Sequence, residues 1–124
     1  MQIKLSNMII TALFFLCIFL SGYWLKGSKK PYNGLKLNLH KFLSLGAVAY
    51  LIVLLMAVNR AAAFSVNNTV LIIISAVLFL VLIISGGVLS AIKETPPFVL
   101  VLHRLLPFLA VASTTALLYF LLTN

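Results

Sequence analysis

Acidic side chains are almost missing from this chain: Glu94 is the only carboxylate residue among 124, against nine lysines and arginines. One acid cannot form the carboxylate pair of a general acid–base site or a carboxylate-rich metal centre. Proton-coupled export of cations would need an acid inside an apolar stretch, and Glu94 lies in a connection. Cysteine occurs once, at Cys17, which excludes an internal disulfide. Phe15-Leu16 ahead of it lacks the small residue expected before a lipidated cysteine, so Cys17 is expected to be a small apolar core residue. Histidine occurs twice, at His40 and His103. Neither belongs to an H-E-x-x-H sequence or a Ser/His/Asp set, and the chain shows no self-contained catalytic constellation. Charged residues make up 8% of the chain and hydrophobic ones 64%, which excludes a solvated globular protein.

What is present is apolar sequence in long runs. A helix crossing the ~30 Å hydrocarbon core needs about 20 apolar residues, and four stretches meet that need, at approximately 8–25, 39–58, 70–92 and 98–122. None alternates as a barrel strand would, and a backbone in lipid must satisfy its own polar groups. The expectation is an all-α membrane protein, an up-down bundle of four transmembrane helices in a single domain. Lys4 followed by the apolar run to Leu20 has the outline of a signal peptide. No A-x-A-like cleavage site follows it, and more lysines lie after the run than before, so it reads as the first span.

The net charge of +8 lies in the connections. It therefore speaks for topology and not for nucleic acid. Lys26, Lys29, Lys30, Lys36 and Lys41 crowd the first connection, and Lys93 and Arg104 flank the third. Lys4 and Arg60 belong to the opposite side. Seven against two predicts that connections one and three face the cytoplasm and both termini face outward. The basic first connection is also expected to attract anionic lipids of the bilayer. Asn67-Asn68-Thr69 matches a glycosylation sequon but sits at the start of the third span, where it reads as an ordinary polar turn.

A repeat runs through the apolar sequence. Aligned without gaps, Asn38 to Met56 and Val101 to Tyr119 match Leu39-His40-Lys41 to Leu102-His103-Arg104, and Ala47-Val48-Ala49 to Ala110-Val111-Ala112. Upstream, Ser21-Gly22 corresponds to Ser85-Gly86. Each half becomes a helical hairpin with a glycine on its first helix and a histidine on its second. Two spans separate equivalent positions, so the halves are parallel repeats about an axis along the membrane normal. His40, His103, Gly22, Gly86 and Gly87 then converge on one layer near the cytoplasmic interface.

Intramembrane histidines raise a functional-site hypothesis. In an up-down bundle the second and fourth spans are diagonal, on the order of 11 to 14 Å apart when neighbouring axes are 8 to 10 Å apart. That gap is too wide for two imidazoles on one bare ion, whose bonds are about 2 Å. A haem fits it, with His40 and His103 as axial ligands to the iron. Gly22, Gly86 and Gly87 would make room for the macrocycle, and Lys41 and Arg104, with lysines of the first connection, would meet its propionates. Ala47 and Ala110 keep the histidine faces small, and Pro107 withholds the amide that would bond the His103 carbonyl.

These residues resemble the small bis-histidine membrane b-type cytochromes, similar in outline to the cytochrome b561 and ferric-reductase-like transmembrane families, over the four-helix core. The resemblance implies haem b on His40 and His103, passing electrons to or from a quinol, a partner cytochrome or a soluble donor. Members commonly carry two haems, and the two histidines here allow one. The alternative is a noncatalytic accessory or structural subunit of a membrane complex. In that reading the glycines and alanines serve helix packing, and His40 begins its span as an interfacial residue.

Overall fold

The computed structural model describes residues 3–61 and 63–123. The described residues are all-α, with four helices among them: α1 (Leu5–Lys26), α2 (Gly34–Ala61), α3 (Val66–Ala91) and α4 (Pro97–Thr123). The shortest has 22 residues and the longest 28. At 1.5 Å per residue they rise about 33 to 42 Å, enough to cross a bilayer. All four are also apolar enough to do so. Only 11–22% of each spanning stretch is buried. The remaining apolar faces are suited to lipid, and the chain is a multi-pass integral membrane protein.

Each helix starts before its apolar run, and all but α3 end after it. Asn33 starts α2: its side-chain oxygen accepts from the Leu35 amide at 2.9 Å, and its carbonyl accepts from the Leu37 amide at 3.0 Å. The helix therefore begins five residues before Leu39. Lys36 lies in this added turn, its ammonium 4.7 Å from the centre of the Trp24 ring and 3.2 Å from Ser28 Oγ. Ser65 caps α3, its hydroxyl accepting from the Asn68 amide at 3.3 Å. The sequon thus lies in the first helical turn and not in a free turn. Pro97 opens α4, where its missing amide costs no helical hydrogen bond.

The helices pack as two compact units, Met1–Ala63 and Phe64–Asn124, one hairpin each. In the first, α1 buries Thr11, Phe15, Ser21 and Leu25, and α2 buries Ala47, Leu51, Leu54 and Val58. In the second, α3 buries Asn68, Ser75 and Ser85, and α4 buries Ala110, Thr114, Leu117 and Leu118. The repeat register carries Ala47, Leu51 and Leu54 onto Ala110, Thr114 and Leu117. It also carries Thr11 and Ser21 onto Ser75 and Ser85. Small hydroxyl residues thus line the buried face of the first helix in each hairpin, letting the backbones approach. Ala47 and Ala110, at 1% and 0% exposure, are spent on that approach.

Cys17 differs from its expectation, since it is exposed on α1. The hairpin buries Phe15 and Ser21, and residue 17 falls off that stripe.

Candidate functional site

Each histidine is the seventh residue of its helix, counting from Gly34 to His40 and from Pro97 to His103. That is about 9 Å along the axis from the helix start. His40 is therefore not at the beginning of its helix, because the Asn33 cap moves that beginning back. Ser21 is followed by five more residues of α1, and Ser85 by six of α3. The third connection is two residues shorter than the first, and the extra helical residue partly offsets this. Each hairpin thereby brings its serine opposite its histidine.

The contacts are nearly superimposable in kind. Ser21 Oγ and His40 Nδ1 are 2.9 Å apart, and Ser85 Oγ and His103 Nδ1 are 2.8 Å apart. Each serine hydroxyl also reaches a carbonyl of its own helix, Ile18 O at 3.0 Å and Leu82 O at 3.1 Å. Both serines are buried, and both imidazoles are half-buried.

The glycine after each serine seats the ring. A Cβ on Gly22 would lie 3.2 Å from His40 Cε1, and one on Gly86 would lie 3.0 Å from His103 Cε1. Any larger residue would press on the imidazole, so the space at these two glycines is filled by the histidines of the same hairpin. This differs from the sequence expectation, in which Gly22 and Gly86 make room for a macrocycle. Gly87 is different, since a Cβ there would meet nothing within 4 Å. Lys41 and Arg104, next in sequence to the histidines, are exposed.

The residue after each histidine turn is perturbed in both hairpins, by different means. Ser44 Oγ donates to the His40 carbonyl at 2.8 Å. Its repeat equivalent is Pro107, inside α4, which has no amide to offer the His103 carbonyl.

The structure thus brings together Ser21, Gly22 and His40, and separately Ser85, Gly86 and His103. Ser21 and Ser85 are the partners of the histidines, which the repeat alone does not single out. Their signal in the sequence is the shared Ser-Gly pair. The donor set suits a metal that accepts imidazole nitrogen: each ring is fixed through Nδ1, as iron-ligating histidines are held through the nitrogen that does not bind the metal. Among the described residues no three histidine, cysteine or acidic side chains gather into a metal-binding group. A bare-ion site of that kind is therefore not formed by them.

Fold and site define the class: a multi-pass membrane protein of two helical hairpins, each carrying one serine-anchored histidine seated on a glycine. The sequence matches no model of a protein family, no curated protein and no solved structure.

Proposed function

We propose that this chain is a single-haem, b-type cytochrome-like membrane protein with His40 and His103 as the axial ligands of the iron. The observation that carries the reading is the duplicated Nδ1 anchor, 2.9 Å and 2.8 Å to the two serines. A packing role alone has no need to hold two imidazoles by the same nitrogen in both halves of the chain. Ligation through Nε2, with Nδ1 tied to a neighbouring oxygen, is the arrangement that orients a haem-ligating histidine. When bound, haem supplies a one-electron ferric/ferrous couple. Gly22 and Gly86 admit the rings, and Lys41 and Arg104 offer positive charge to carboxylates. Electrons would pass to or from a redox partner such as a quinol, another cytochrome or a soluble donor.

The same reading sets connections one and three on the cytoplasmic side, by the seven-to-two distribution of lysine and arginine. Lys26, Lys29 and Lys30 are all exposed there, as anionic headgroups would require.

The test is a reduced-minus-oxidised visible spectrum of the protein purified in mild detergent after expression with adequate haem. We expect b-type bands in the wild type and their loss in His40→Ala and His103→Ala. A wild type without those bands contradicts the haem reading and favours an accessory membrane subunit.

A further inference from the structure

We infer that Ser21 and Ser85 are positioning residues that fix both histidines in the Nδ1–H tautomer and so leave the ring lone pair on Nε2 in each hairpin, the atom that would ligate in the haem reading. A serine hydroxyl has one proton and two acceptor lone pairs. Ser21 Oγ lies 3.0 Å from the Ile18 carbonyl oxygen, which can only accept, and 2.9 Å from His40 Nδ1. If the hydroxyl proton went to Nδ1, two oxygens without a hydrogen between them would face each other at 3.0 Å in a buried setting. If the proton goes to the Ile18 carbonyl, Oγ accepts from Nδ1–H and both contacts are hydrogen bonds. That assignment makes both serine contacts hydrogen bonds, and it puts the imidazole lone pair on Nε2.

Ser85 repeats the arrangement in the second hairpin. Its Oγ lies 3.1 Å from the Leu82 carbonyl oxygen and 2.8 Å from His103 Nδ1. The glycines permit the geometry. A Cβ on Gly22 would lie 3.2 Å from His40 Cε1 and one on Gly86 3.0 Å from His103 Cε1, so the lack of a side chain there gives each ring room beside its serine. A Ser-Gly pair on one helix and a histidine on the next therefore form a unit that selects both the tautomer and the direction of the ring.

The second consequence rests on the haem reading. An acceptor on Nδ1–H raises the donor strength of the imidazole and favours the ferric state. Loss of either serine hydroxyl is then expected to raise the midpoint potential, and loss of both to raise it further.

The experiment uses the full chain, prepared without haem in detergent and labelled with ¹⁵N-histidine, with nitrogen shifts read at alkaline pH. For wild type we expect pyrrole-like Nδ1 and pyridine-like Nε2 at both histidines. Ser21→Ala should give a mixed tautomer at His40 alone, Ser85→Ala one at His103 alone, and the threonine variants should restore the wild-type pattern. Protonated Nε2 in wild type, or shifts indifferent to the serines, would overturn the inference whether or not haem binds. On haem-loaded protein, a potential that rises with alanine and returns with threonine supports the second consequence. A potential unchanged by alanine refutes it. Absence of haem from the wild type counts against the cytochrome reading alone and leaves the tautomer result standing.

Discussion

A methyl group at residue 86 would stand 3.0 Å from His103 Cε1, while one at residue 87 would touch nothing within 4 Å. Adjacent glycines thus separate a seat from an open position. The ring cannot yield at residue 86 without stretching its 2.8 Å contact to Ser85. Gly86→Ala is expected to lower stability in detergent by about 1 to 3 kcal/mol, the usual cost of overpacking. Gly87→Ala should stay within about 0.5 kcal/mol of wild type. Thermal unfolding followed by circular dichroism measures both, and equal effects would remove the seat from the account. A second residue-scale prediction concerns Thr114, whose buried hydroxyl has no hydrogen-bond partner among the described residues. Thr114→Val keeps the shape and removes that hydroxyl, so the same measurement should give a gain of about 1 kcal/mol.

Among the elements, hairpins with equivalent sites differ in how they are pinned away from those sites. In the first, Asn7 donates to the Tyr50 hydroxyl at 3.2 Å, and the Tyr50 ring packs on Phe14 with centroids 5.7 Å apart. In the second, Ser75 donates to Ser113 at 3.0 Å, and Ser113 donates on to the Ala110 carbonyl at 3.2 Å. Interhelical hydrogen bonds within membranes average about 0.6 kcal/mol. Tyr50→Phe and Ser75→Ala are therefore each expected to cost about that much, with urea or detergent titration as the readout.

Helix existence was legible in the apolar runs, and helix ends were not. The second apolar run begins at Leu39, but α2 reaches back through Lys36 to the Asn33 cap, with the Lys36 charge resting against Trp24. The histidines and the Ser-Gly pairs were visible as a repeat. That Ser21 faces His40, and that the glycine space belongs to the imidazole, depends on the register between α1 and α2. Connection length and cap position set that register, and no periodicity within one helix carries it. Cys17 escaped for a related reason: in a helix apolar all round, composition does not reveal which face is covered.

For the whole molecule, orientation and cofactor are the two claims. Cysteines substituted singly for Gly27, Glu94 and Ser65 in a Cys17→Ser background report orientation through a membrane-impermeant maleimide applied to intact cells. Residue 65 should label, and residues 27 and 94 should label only after lysis. The reverse pattern would invert the topology. The most direct test of the central claim is the haem content of purified protein, measured as pyridine haemochrome together with the ferric electron paramagnetic resonance spectrum. The account predicts about one haem b per chain, the ceiling that a pair of axial histidines allows, with a low-spin bis-imidazole signal that disappears in His40→Ala and in His103→Ala. Haem-free protein after expression with adequate haem, or a low-spin signal that survives loss of both histidines, would contradict it.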